Sequence, residues 1–152
     1  MKHHGHERLR LPGWVRWWVY IGGALCALSG SAWLLLHHFV RREGEFGPEP
    51  SLLEHPSLVL HGICGLMLLW VLGLVWLPHV RRGWSKRQHR WVGGTMAALM
   101  LWLAFSAVGL YYLGDETWRG WISIAHWTLG LFAAIWLPLH IWIGRRRIRR
   151  GD

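Results

Sequence analysis

The sequence predicts an all-α integral membrane protein, an up-down-up-down four-helix bundle forming one domain over residues 1–152. Three observations carry that expectation. Four runs, 17–40, 55–80, 91–114 and 120–144, contain no Asp, Glu, Lys or Arg. Each holds about two dozen residues, where about 20 suffice to cross the hydrocarbon core as a helix. The chain is 53% hydrophobic with 14 Trp, a composition that sets it apart from soluble domains. The runs also lack strand alternation, and only helices or closed barrels satisfy the backbone within lipid.

The first helix is expected over about 14–38, after the breaker Pro12-Gly13. Its Ser29-Gly30-Ser31-Ala32 faintly resembles a signal-peptidase site, but the apolar run continues through Trp33-Leu34-Leu35-Leu36, so the helix reads as uncleaved. The loop that follows holds Gly44, Gly47, Pro48, Pro50 and Pro56 and cannot be helical throughout. The second helix is expected over about 56–79, opened by a first-turn proline. The third is expected over about 89–113 and the fourth over about 121–144. Short connections make sequence neighbours antiparallel. A faint 2+2 repeat runs through the chain: His-x-x-x-Gly-Leu and Trp-Leu-Pro recur in helices two and four, paired glycines and Ser-Ala in helices one and three. Most of the small residues read as helix-packing positions, and the tryptophans at span ends as interfacial belts.

Charge sets the expected orientation. Of the 17 Lys and Arg, 14 lie in the N-terminal segment, the second loop and the C-terminal tail, while Arg41, Arg42 and Arg119 lie in the other two loops. The positive-inside rule then places both termini and the second loop in the cytoplasm. Six of the eight acids (Glu43, Glu45, Glu49, Glu54, Asp115 and Glu116) fall on the outer side. This distribution accounts for the net charge of +9 as topology and contact with anionic lipid, and excludes nucleic acid as the partner. Cys26 and Cys64 are the only cysteines and both lie inside spans. They offer no disulfide framework, no zinc spacing and no C-x-x-C-H for covalent haem.

The histidines carry the chemistry. Seven of the eleven stand in or at the edge of spans, in two layers: His37, His38, His61 and His126 near the outer face, His79, His89 and His140 near the inner one. A histidine in hydrocarbon needs a partner, and two layers of imidazole suit stacked haems, each iron taking two axial nitrogens. His126 and His140 are fourteen residues apart, about four turns or 21 Å on nearly one face. His61 and His126 begin the repeated phrase at matched depth on parallel helices, which poses them as an outer pair. The inner partner of His140 is open between His89, which begins the third helix, and His79. His79 lies eighteen residues after His61, about 27 Å, roughly one turn below His140 if the outer pair is level. A bend at Pro78 or Pro138 would absorb part of that offset. His37 and His38, ending the first helix, read first as interfacial residues.

At these residues the chain resembles the small bacterial four-helix membrane cytochromes b of the cytochrome b-561 type. The likeness rests on the two histidines fourteen apart in the last helix, within His-Trp-Thr-Leu-Gly-Leu…His-Ile-Trp-Ile-Gly, and on His89-Arg90-Trp91-Val92-Gly93. It implies two b haems and transmembrane electron transfer, often from a quinol pool to a partner redox protein. The first helix departs from that group: where an inner ligand is expected, this chain has Trp14-Val15-Arg16-Trp17-Trp18.

The function expected is therefore that of a non-covalent haem b membrane cytochrome, an electron-transfer protein rather than a stand-alone enzyme. One haem is expected at His61 and His126, and a second at His140 with His89 or His79. Arg90 and Arg145 are placed to pair with haem propionates. The partners are membrane lipid, a quinone and a periplasmic redox protein, with the chain acting as a homo-oligomer or as a subunit of a complex. The alternative is a cofactor-free membrane anchor or assembly subunit whose histidines only hydrogen-bond between helices. A histidine-ladder metal transporter is disfavoured, because no Asp or Glu stands inside the spans to neutralise a cation.

Overall fold

The computed structural model describes residues 11–81, 84 and 90–150, the last four of these by backbone alone. It is 85% helical. Helix α1 spans Gly13–Phe39, and a β-hairpin follows, β1 (Arg41–Gly44) and β2 (Gly47–Pro50). Helix α2 (Glu54–Val75) runs on into a π-helical segment, Trp76–Arg81, and α3 (Arg90–Tyr112) and α4 (Glu116–Arg150) complete the chain. All four helices are long and apolar enough to cross a membrane, at 27, 28, 23 and 31 residues counted through the π segment and as far as Arg146.

Cross-helix contacts give the directions. A Cβ on Gly22 would lie 3.3 Å from Leu68, while Gly30 lies beneath His61, so α1 and α2 are antiparallel. Gly109 beside Ile122 and Ser106 against His126 make α3 and α4 antiparallel too. Gly23 meets Leu137 and Tyr20 accepts a hydrogen bond from Arg145 at 3.0 Å, which sets α1 against α4 in the same sense. The bundle is thus up-down-up-down. One end carries the β-hairpin; the other carries Arg16, Arg81, Arg90, Arg145 and Arg146 and is called the basic end.

Local chemistry explains where the elements depart from expectation. Helix α4 begins at Glu116, about five residues before the apolar run implies, because Asp115 caps it: its Oδ1 accepts from the Trp118 backbone N–H at 2.9 Å. The first connection, which the sequence says cannot be helical throughout, is a paired hairpin in register Arg41↔Pro50 to Gly44↔Gly47, with Arg42 and Glu49 ion-paired across it. Gly47 closes the turn at φ 120°, a conformation glycine adopts without strain. At the far end of α2, Pro78 has no N–H to give to the Leu74 carbonyl, and the helix widens there into π turns.

The interior is sparse. Val15, Val71 and Val75 form a small buried cluster with Leu11, Val19 and Leu72 packed against it. No described side chain is less than 2% exposed, and large apolar residues such as Leu66, Trp70, Phe105 and Ile135 face outward. The surface, 12006 Å² for 17.7 kDa, exceeds the roughly 7,900 Å² expected of a soluble monomer of that mass. Packing is close within the α1–α2 and α3–α4 pairs and slight between α2 and α3. A continuous cleft of about 3190 Å³ threads the bundle between the two pairs.

Candidate functional site

Six of the described histidines line that cleft, His37 and His55 toward the hairpin end and four others from two helices: His61 and His79 from α2 and its π segment, His126 and His140 from α4. These four meet in two pairs. The ring centroids of His61 and His126 are 6.2 Å apart with planes at 88°, and those of His79 and His140 are 6.2 Å apart with planes at 84°. Each pair joins the two helices that run in the same direction. Fourteen residues of α4 separate the levels, about 21 Å along its axis.

The His79 and His140 rings meet at the same separation as the outer pair although His79 is expected about one turn lower. A straight α-helix would carry His79 past His140, and the six-residue π segment at Pro78 absorbs part of that surplus by packing more residues into each turn. His89, the other inner candidate, lies outside the described residues. His37 and His38 stand at the hairpin end of α1, away from both pairs.

Hydrogen bonding orients the pair nearer the hairpin. His61 Nδ1 lies 2.9 Å from the Cys26 carbonyl oxygen. A carbonyl only accepts, so Nδ1 carries the proton and Nε2 keeps its lone pair. The ring sits directly over Gly30, where a Cβ would come within 2.8 Å of both Cε1 and Nδ1. On the facing helix, Ser106 Oγ donates its one proton to the Leu103 carbonyl at 3.1 Å. It can therefore accept from His126 Nδ1 at 2.7 Å, which again leaves Nε2 as the basic nitrogen. Ser106 is a buried polar residue, 6% exposed, and removing its hydroxyl would strand an N–H at a cost of about 1–3 kcal/mol.

Both imidazoles are thus held as ligands commonly are, with Nδ1–H tied to an acceptor and Nε2 presented. In both pairs the two rings face each other edge to face. Among the described residues no group of three or more His, Cys, Asp or Glu converges. Two nitrogens fall short of the four ligands that a structural zinc takes, so a metal here has to bring further donors of its own.

The orienting groups were not legible in advance. Ser106 was visible only as half of a repeated Ser-Ala, and Cys26 acts through its backbone, which any residue supplies. Glu54, counted among the loop acids, is in fact drawn onto His37, Nδ1 to Oε1 2.7 Å, at the hairpin end. No family model, curated protein or solved structure matches the chain, so the reading of the site stands on this geometry.

Two substitutions test the orientation. Gly30→Val should push the His61 ring off the Cys26 carbonyl, and Ser106→Ala should release His126 Nδ1. Imidazole ¹⁵N spectra of selectively labelled protein should report Nδ1–H tautomers at both rings in the parent and a mixture in the matching variant. Unchanged spectra would contradict the assigned contacts.

Proposed function

We propose that the chain is an integral membrane cytochrome of the b type, holding two haems in the cleft between its helix pairs. His61 and His126 ligate the iron nearer the hairpin, His79 and His140 the iron nearer the basic end. The observation that carries this reading is the twofold recurrence of a 6.2 Å imidazole pair. Two imidazole nitrogens that would each hold one metal at about 2 Å, plus the half-width of each ring, put the centroids roughly 6 Å apart. A haem would bring the further donors that the two imidazoles lack, and the cleft between the helix pairs would have to accommodate it. When bound, the haem supplies one-electron exchange between ferric and ferrous iron.

The protein's own residues do the rest. Cys26, Gly30 and Ser106 fix the ring planes on the hairpin side, and the π segment brings His79 closer to the level of His140. Arg90 and Arg145 line the cleft at the basic end, where carboxylates of the second haem would meet them. The outward-facing Leu, Ile, Phe and Trp side chains take lipid as their solvent. The excess of Lys and Arg at the basic end would favour the cytoplasmic side of a bacterial inner membrane. With both haems bound, the two levels, about 21 Å apart, would link a donor in the lipid phase with a redox protein.

Reduced-minus-oxidised spectra of protein purified after haem-sufficient expression should contain a b-type band, and pyridine haemochrome should give two haems per chain. His61→Ala combined with His126→Ala should lower this to one. A full band in that double variant would remove the hairpin-side assignment, and absence of any band in the parent would favour the cofactor-free anchor. Pro78→Ala addresses the inner site separately. Restoring the N–H lets α2 continue as an α-helix and carries His79 off the level of His140. Haem content should then fall from two toward one, with the His61–His126 haem retained.

A further inference from the structure

The basic end of the bundle arranges its cations more closely than membrane orientation requires. Arg16 from α1, Arg81 from the π segment, Arg90 from α3, and Arg145 and Arg146 from α4 all line that end of the cleft. No Asp or Glu among the described residues stands there, and both described ion pairs lie at the hairpin end. The positive-inside rule depends on how many cations lie on one side and leaves their geometry free. Here the geometry is fixed at one place, the seam between the start of α1 and the end of α4.

Tyr20 stands at the centre of that seam. Its hydroxyl oxygen accepts from Arg145 Nη2 at 3.0 Å, and the Arg145 guanidinium carbon lies 5.6 Å from the Tyr20 ring centroid. Trp17 packs against the same ring, T-shaped, with centroids 6.3 Å apart. A phenol that accepts still has its own proton to give, and no acceptor among the described residues takes it. Arg16 lies one helical turn before Tyr20, on the same face of α1. Its Nη2 reaches back to 3.9 Å from where a Cβ on Gly13 would stand, toward the end of the bundle. Arg16 and Arg145 are exposed and Tyr20 is half-buried, so all three can be reached from outside. Arg146 is committed elsewhere, its guanidinium lying 3.7 Å over the Trp142 ring.

Two guanidinium groups and a hydroxyl, all able to donate and none paired with an acid, suit an oxyanion with several acceptor oxygens. A phosphodiester is such a group, and arginine complements both its charge and its fork of oxygens. Trp14, Trp17 and Trp18, all exposed in the first turns of α1, set this level at the depth of lipid headgroups. A molecule that presents a phosphodiester here, with its chains along the apolar helices, is a phospholipid. The surrounding Arg81, Arg90 and Arg146 disfavour a headgroup that carries an ammonium of its own, which selects an anionic one. We infer that Arg16, Tyr20 and Arg145 bind the phosphodiester of one anionic phospholipid at the α1–α4 seam. The site does not depend on the haem reading. It lies at the rim, and Arg145 has N–H donors to spare for a carboxylate inside the cleft.

The test titrates full-length protein in detergent micelles with phosphatidylglycerol and counts bound lipid by native mass spectrometry. One phosphatidylglycerol per chain should stay bound at concentrations where phosphatidylcholine is lost. Tyr20→Phe removes an O–H but no charge, and should weaken retention roughly tenfold with helical content unchanged by circular dichroism. Arg145→Gln and Arg146→Gln each remove one charge at nearly the same depth. Diffuse attraction weakens both alike, by about fivefold per charge, whereas the seam site loses roughly ten times more with Arg145→Gln. Equal losses in the two arginine variants, with Tyr20→Phe at the parent affinity, would overturn the site. Glycerophosphoglycerol, the same headgroup without acyl chains, separates lipid from free phosphate and should leave the bound lipid in place. Its displacing the lipid at equal concentration would overturn a lipid as the ligand. Retention of phosphatidylglycerol by a parent protein that carries no haem would support the site while removing the haem reading.

Discussion

The architecture turns on imidazole rings that face one another across a gap between two helix pairs. Within each pair, small residues let the backbones approach: Gly22 against Leu68, Gly30 beneath His61, Gly109 beside Ile122. Between the pairs the helices stand off, and the cleft that results carries paired histidines at two levels. An imidazole in such surroundings has two nitrogens to satisfy. At the hairpin-side level the protein answers for one nitrogen of each ring, with the Cys26 carbonyl and the Ser106 hydroxyl. The other nitrogen is thereby prepared as a lone pair directed at whatever occupies the gap. In the proposed reading the occupant is a haem, which would also join the helix pairs that otherwise touch little.

Parallel α-helices with different histidine spacings cannot place both pairs level unless one changes its pitch. Helix α2 does so through Pro78, whose missing N–H breaks the regular ladder and admits the π-helical segment Trp76–Arg81. The proline in α4, Pro138, stands inside a helix that keeps its α form, with the spacing from His126 to His140 intact. The same residue type, repeated in the same Trp-Leu-Pro phrase, thus has different structural consequences in the two helices.

Polarity is distributed along the bundle in keeping with this arrangement. The basic end gathers arginines, with Arg145 held by the Tyr20 hydroxyl and Arg146 lying over the Trp142 ring. The hairpin end gathers the acids and the His37–Glu54 dyad. Two ionisable side chains from different helices meet there within hydrogen-bond distance. That contact gives the hairpin end a chemistry which the acidic composition of its loops does not by itself supply.

Much of this was legible in the order of residues alone. The four long helices follow from uncharged runs, which act locally and additively, and the direction of each follows from short connections. The depth of His61 and His126 within their runs marks them for one level, because the helical rise is regular that far from any breaker. Tertiary structure decided the remainder. That the His79 ring meets His140 involves a helix segment altered where Pro78 lacks a backbone N–H, which a ruler of 1.5 Å per residue does not anticipate. The Cys26 carbonyl, the Ser106 hydroxyl and Glu54 come from other helices, and nothing in their own sequence neighbourhoods names the histidine each would meet. The start of α4 turned on one capping carboxylate, Asp115, and the first loop became a hairpin through cross-strand pairing of residues chosen by composition only as breakers. Local composition determines which segments are helical and apolar; which polar atoms meet is set by the register between segments, which exists only once the helices pack.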